Sequence, residues 1–306
     1  MSRSLGEIGE FGLIKSIGQW AGRDRSVLCG IGDDAAVLKG NSKKDLLFAA
    51  DMLIEDRHFR FGEATPFEIG WKAVAVNASD IAAMGGTPRH VVVSLGLPAS
   101  LDVAFVKEMY RGMRAVSKAH QINLVGGDTN RSDKLIVSVA ILGEIPRGKA
   151  ILRSGARVGD VLLITGGLGG SYESGKHLRF RPRLREARFL AGHFKVNAMI
   201  DISDGVASDL RRLCDASRVG AVLCHETIPL NPGVPNVERA ITDGEDFELL
   251  FCLSPKEAAR LMAWPNGTPG PFYPIGKIVP RARGIKMLRA GRAPKDLGGG
   301  FDHFKK

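Results

Sequence analysis

Cysteine is scarce and scattered. The 306 residues hold four, Cys29, Cys214, Cys224 and Cys252, with no CxxC pair. That pattern argues against a disulfide framework and fits reduced thiols in a cytoplasm. No apolar run reaches the roughly 18–20 residues needed to span a bilayer, so no membrane association is expected. The first residues, MSRSLGEIGEFGLI, lack the apolar h-region of a signal peptide, so no secretory leader is expected either. The chain shows no internal repeat, no low-complexity segment, and no Ser–His–Asp or Cys–His arrangement for nucleophilic catalysis. RRM, OB and zinc-finger signatures are also missing, which leaves nucleic acid without a recognisable reader.

Against these absences stand two surpluses. The net charge is +10, much of it in KHLRFRPRLREAR (176–188) and KIVPRARGIKMLRAGRAPK (277–295), and it favours anionic partners such as phosphorylated small molecules. Glycine is abundant at 38 residues and gathers beside acidic side chains. Hydrophobic residues at 44% and charged residues at 25% are ordinary for a globular protein, and the length allows one large domain or two medium ones.

Strand and helix signals alternate. Apolar runs at 45–50, 91–97, 135–143, 161–165 and 247–253 read as strands. In 67–84, Ala73, Val76, Asn77, Asp80 and Met84 fall on one helical face, so Asp80 points along an apolar stripe. A second helix is expected over 102–119, capped by Asp102, with Val106, Met109, Met113 and Val116 inward. A third follows SDG at 203–205, with Val206, Leu210 and Leu213 on one face. The loop-rich WPNGTPGPFYP (264–274) reads as a surface excursion. Gly, Pro and Arg after the 135–143 strand place a domain boundary near residue 147. The expected class is α+β, with two α/β-type domains over 1–146 and 147–306.

The acidic stretches carry the chemistry. They are GIGDDAAVL (30–38), AADMLIEDRHF (49–59), NASDIAAMGG (77–86), GGDTNR (126–131), IDISDGVASDL (200–210) and TDGEDFELLF (242–251). Paired carboxylates repel, and burial makes each costlier unless a cation or hydrogen-bond donors compensate. Hard cations such as Mg²⁺ take carboxylate oxygens, and glycine lets backbone N–H groups approach phosphates. Taken singly, GGDT also reads as a turn capped by Asp128, SDG as a helix cap made by Asp204, and His58 as a packed histidine.

Taken in order, these stretches resemble the thiamine-monophosphate kinase family. That family sits in a superfamily with aminoimidazole ribonucleotide synthetase, selenophosphate synthetase and a hydrogenase-maturation protein. The resemblance runs from GEFGLI (9–14) to GFDHF (300–304) and includes WKAVAVNASDIAAMGGTPRH, RSGARVGD, HLRFRPR and IGKI. It implies ATP and Mg²⁺ as cofactors, and transfer of the γ-phosphoryl group to the phosphate of thiamine monophosphate. By matching motifs it implies Asp34, Asp51, Asp80, Asp128, Asp201 and Asp204 as metal ligands, with Asp128 and Asp204 closest to catalysis. It implies Gly127, Asp128, Arg153, Ser203 and Tyr110 at ATP, and His58, Glu245 and Phe301 around the acceptor. It further implies an N-terminal ATP/Mg-binding domain whose mixed sheet, with helices on one side, joins that of a second copy in a homodimer, and a C-terminal α/β domain that completes the site. The alternatives are another ATP-dependent enzyme of the superfamily that phosphorylates an amide or similar oxygen, and a nucleotide-binding relative with little catalysis.

The sequence departs from that pattern at three places. Ala49 and Ala50 stand where relatives carry Ser or Thr before the aspartate matching Asp51, which predicts that one metal is lost, or is held by a backbone carbonyl or water instead. The segment after TGGLGGS (165–171) is short, which predicts a reshaped acceptor side. Asp243 replaces a small residue near Glu245.

Overall fold

Residues 4–18, 24–265 and 267–297 are described by the computed structural model. The N-terminal half runs α1 (Leu5–Ile17), β1 (Val27–Cys29), β2 (Ala36–Leu38), β3 (Lys44–Ile54), α2 (Pro66–Ala83), β4 (Thr87–Leu97), α3 (Val103–His120), β5 (Asn123–Arg131) and β6 (Ile136–Pro146). The C-terminal half runs β7 (Val161–Ile164), α4 (Lys176–Arg179), α5 (Leu184–His193), β8 (Val196–Asp201), α6 (Val206–Ser217), β9 (Gly220–Cys224), α7 (Val237–Thr242), β10 (Leu249–Leu253), α8 (Pro255–Met262), β11 (Tyr273–Val279), β12 (Ile285–Leu288) and β13 (Lys295–Asp296). Two mixed sheets result. The first has the order β1-β2-β3-β6-β4-β5 and the second β13-β12-β9-β11-β7-β10-β8. Among the described strands, β4–β5 and β9–β12 pair in parallel and the other neighbours antiparallel.

Every strand read from an apolar run is present, and alternation sets which face each residue takes. Along β3, Asp45, Leu47 and Leu53 are buried while Phe48, Ala50 and Met52 are exposed, the period-2 signature of a sheet covered on one face. The covering layer is α2 and α3. Thr65 caps α2, accepting from the Glu68 amide while Glu68 bonds back to the Thr65 amide. Asp102 caps α3 as expected, accepting from the Ala104 amide at 2.8 Å. The two helices cross at Gly70 and Gly112. A Cβ on Gly70 would sit 1.8 Å from the Met109 carbonyl oxygen, and one on Gly112 would sit 1.9 Å from that of Phe67. Glycine is thus required on both helices for this approach.

One hydrophobic core fills the space between the first sheet, α2 and α3, and continues through Leu184, Leu190, Met199 and Phe251 to one face of the second sheet. A second core lies on that sheet's other face, beneath α6 and α7. The opposite face of the first sheet carries Phe48, Met52 and Val92, between 42% and 50% exposed. Phe48 and Met52 pair with Leu142 and Ser138 of β6, and Val92 of β4 pairs with Ala140 between them, so the three share that face.

Two local expectations need correction. Asp204 does not cap α6, because Gly205 occupies that position without a side-chain cap and Asp204 pairs with Arg212 instead. The 264–274 stretch is more than a surface excursion. Phe272 is buried against Phe251, with ring centroids 5.7 Å apart, and Tyr273 already belongs to β11. The four cysteines are free, and no helix among the described residues is long and apolar enough to cross a membrane.

Candidate active site

The two halves meet along α2, and the carboxylates converge there. Asp34 lies in the loop between β1 and β2, Asp80 on the last turns of α2, and Asp201 at the end of β8. Each offers a carboxylate oxygen within 4.8 Å of the others. Asp51, on the covered face of β3, shares a side-chain hydrogen bond with Asp80. β2 accompanies β3 only as far as Phe48, and beyond it the Asp51 amide donates to Asn77 Oδ1 at 3.1 Å. Asn77 itself donates to the Ala73 carbonyl one turn back. Ser79 Oγ donates to Asp201 Oδ2 at 2.6 Å, joining α2 to the C-terminal sheet.

This crowding strains the ionised forms. Burial first, then neighbouring Asp204 and Asp34, push Asp51 up to about 6. Burial and then Asp34 push Asp201 up to about 7. Asp80 is raised well above the carboxylate range by burial, Asp51 and Asp201. Asp33 reaches about 7 through burial and Asp34, although the Arg153 amide donates to both of its oxygens at 3.1–3.2 Å. Arg153 Nη2 donates to Asp34 Oδ1 at 2.7 Å. Asp34 Oδ2 is buried with no hydrogen-bond partner among the described residues. An oxygen-only donor set drawn from both halves, with one buried Asp34 oxygen unsatisfied and Asp80 and Asp201 pushed toward protonation, fits a hard divalent cation such as Mg²⁺.

A second group lies farther along α2. His58 follows β3 in a turn and accepts the Ile54 amide on Nδ1 at 2.9 Å. Lys72, fully buried on α2, donates to the His58 carbonyl at 2.9 Å and to Glu245 Oε2 at 2.5 Å. Burial pulls this ammonium below its ordinary value, with Glu245 acting against the shift. The residues after Glu245 face inward. Asp246 accepts from the Gly169 amide and from Ser171 Oγ. Glu248 takes two bonds of 2.6 Å from Arg183 and one of 2.7 Å from Thr165. The GEDFELLF motif thereby pins the glycine-rich 165–171 turn and the basic 176–183 segment.

The other expected residues are spread around this line. Ser203 accepts the Glu245 amide on its carbonyl at 2.6 Å. Asp204 pairs with Arg212 at the start of α6, close enough to raise Asp51. Gly127 and Asp128 lie on the exposed edge strand β5, outside the three-carboxylate cluster. Asp128 accepts from Asn130 at 2.7 Å. A Cβ on Gly127 would lie 1.8 Å from the Val93 carbonyl oxygen, so strand packing alone demands glycine there. Tyr110 is half-buried on α3 against the first core. Phe301 lies outside the described residues.

The departure at residues 49 and 50 divides by face, and Ala49 shares the covered face of β3 with Asp51. Ala50 is on the bare face of β3, in register with Ala140 and opposite to Asp51, so a hydroxyl there would point away from the cluster. Residues not singled out from sequence are Lys72, Ser79, Asp209 and Arg212, whereas Asp33 belongs to the doubled aspartate of GIGDDAAVL. Asp209, fully buried on α6, accepts from the Asp204 amide at 3.1 Å and from Arg212 at 2.9 Å. Ser79 lies beside Asp80 and Asp209 within a quoted motif, so a signal existed for both.

The carboxylates gather between two mixed-sheet domains, the two-domain arrangement of the AIR synthase related proteins. Residues 32–145 match the AIR synthase related protein N-terminal domain, and 157–288 match the corresponding C-terminal domain. Thiamine-monophosphate kinase of Bacillus subtilis is 35% identical over 97% of this chain and 99% of its own. That of Rhodopirellula baltica is 39% identical over 90% and 92%. Among solved structures, AaThiL complexed with AMPPCP and TMP superposes with a TM-score of 0.85 at 30% identity, covering 99% of both chains. Thiamine monophosphate kinase from Aquifex aeolicus gives 0.78 at 28% identity over 95% of this chain and 99% of its own. The chain belongs to the thiamine-monophosphate kinase family.

Proposed function

We propose that this protein transfers the γ-phosphoryl group of ATP to the phosphate of thiamine monophosphate, giving thiamine diphosphate and ADP. The carrying observation is the convergence of Asp34, Asp80 and Asp201 within 4.8 Å, in a chain that superposes end to end on a family member complexed with AMPPCP and TMP. Asp34, Asp51, Asp80, Asp128, Asp201 and Asp204 are the proposed ligands of Mg²⁺. Bound there, the cation would offset the repulsion between two phosphates.

The chain's own residues do the positioning. An anionic phosphate acceptor needs little help from a general base, so alignment and charge compensation dominate. Arg153, paired with Asp34, brings a fixed positive charge to the metal side. Arg153, Ser203, Gly127, Asp128 and Tyr110 are the proposed ATP contacts, with Asp128 and Asp204 nearest the reacting phosphates. His58 and Glu245, gathered around Lys72, are the proposed acceptor contacts, together with Phe301. Residues 1–146 would bind ATP and metal and residues 147–306 would complete the site. The bare face carrying Phe48, Met52 and Val92 is the proposed homodimer surface, and free thiols suit a cytoplasmic enzyme.

The test is an assay of the purified chain with ATP, MgCl₂ and thiamine monophosphate, separating products by chromatography. Thiamine diphosphate should form in step with ADP. ATP consumption that yields inorganic phosphate without thiamine diphosphate would overturn the reading.

A further inference from the structure

We infer that Lys72 is a positioning residue that holds the two halves of the acceptor pocket in register, acting through Glu245 and the His58 turn. The inference rests on the kinase reading above.

Lys72 is the one lysine among the buried polar and charged residues described, at 0% exposure. Burying a lone ammonium is costly, so its partners and its place carry information. One partner is a main-chain carbonyl, His58, in the turn after β3. The other is a carboxylate, Glu245, in the loop before β10, 173 residues farther along the chain. Lys72 therefore bonds one segment of each domain, and both are segments proposed to meet the acceptor. Glu245 also has a left-handed backbone, with φ of 55°, and its amide is tied to the Ser203 carbonyl. With that backbone fixed and the side chain 27% exposed, Lys72 determines where the open part of the carboxylate is presented.

The metal side is spared by this arrangement. No hydrogen bond or ion pair described for Lys72 reaches Asp34, Asp51, Asp80 or Asp201. Loss of the ammonium should then disturb acceptor binding while leaving ATP binding nearly intact. A merely structural lysine would lower both together, or neither.

The experiment compares wild type, Lys72→Met, Glu245→Gln and the double variant by steady-state kinetics, varying thiamine monophosphate and ATP separately. Lys72→Met should raise KM for thiamine monophosphate by about tenfold or more, as loss of a charge-assisted bond predicts, with KM for ATP changed far less. If Lys72 acts through Glu245, adding Lys72→Met to Glu245→Gln should cost much less than it does alone. Should Lys72→Met fail to fold because Glu245 is left unpaired, the comparison of Glu245→Gln with the double variant still decides the matter. Equal rises in both KM values, unchanged KM values, or full additivity would overturn the inference while the kinase reading stands. A wild-type protein that makes no thiamine diphosphate would overturn both.

Discussion

Ser79 and Asp201 are joined by a 2.6 Å hydrogen bond that crosses from α2 to the C-terminal sheet, one residue away from Asp80. The bond favours the ionised form of Asp201 against burial. Ser79→Ala should therefore lower the apparent Mg²⁺ affinity by about tenfold, the usual scale for a residue that orients a metal ligand. A Mg²⁺ titration of the initial rate reads this directly, and an unchanged half-saturation point would separate Ser79 from metal binding.

Asp80→Asn should pull stability and activity in opposite directions. The carboxylate sits among Asp51, Asp201 and Asp34, all of which oppose its ionisation. Its neutral replacement should stabilise the metal-free protein, since burial and three neighbouring carboxylates all disfavour the charged form. Turnover should fall to background. Thermal unfolding in EDTA and the kinase assay together check the pair of outcomes, and a destabilised variant would contradict the like-charge account.

The pH dependence has a definite sign. Asp51 and Asp201 are raised to about 6 and about 7, so the folded chain holds their protons more tightly than the unfolded chain does. This favours the metal-free fold at low pH, and the contribution is lost as pH rises through about 7. Metal binding must release those protons, so Mg²⁺ affinity should climb between about pH 6 and 8. Unfolding curves with and without MgCl₂ should diverge most at the alkaline end.

How much of this site was legible beforehand varies by residue. Asp80 is legible because helical spacing alone puts it on the stripe with Ala73, Val76 and Asn77. The doubled aspartate at 33–34 also announced itself, since adjacent charges in an apolar run need compensation. Lys72 did not, because a single lysine in GWKAVAV reads as a solvated turn of helix until Glu245 arrives from the other domain. Residue 50 misled for a simpler reason. Position 50 adjoins Asp51 in sequence, but adjacent strand residues face opposite ways, so nearness along the chain is not nearness to that carboxylate. The fold class followed from alternating apolar runs, but the strand orders did not, because pairing between distant strands leaves no local trace.

Ala50→Thr turns that correction into an experiment. The added hydroxyl would lie on the bare face beside Ala140, so Mg²⁺ dependence and kcat should stay as in the wild type. A tightened Mg²⁺ requirement would mean that the strand's facing has been misassigned.

Met52→Arg addresses that same bare face. Met52 is 50% exposed beside Phe48, and a guanidinium there would have to be desolvated in any sheet-to-sheet association. Sedimentation should show a dimer for the wild type and a monomer for the variant. A variant that still dimerises would move the interface elsewhere.

The close crossing of α2 and α3 at Gly70 and Gly112 makes α2 a ruler. Lys72 and Asp80 lie eight residues apart on a rod that cannot slide against its neighbour, so their separation along the axis is about 12 Å at the standard rise. The span between the Lys72–Glu245 pair and the carboxylate cluster is thus written in helical turns. One residue inserted between these positions would rotate everything beyond it by about 100° and uncouple the two ends. Changes in the surrounding loops could recast the acceptor without altering that gauge.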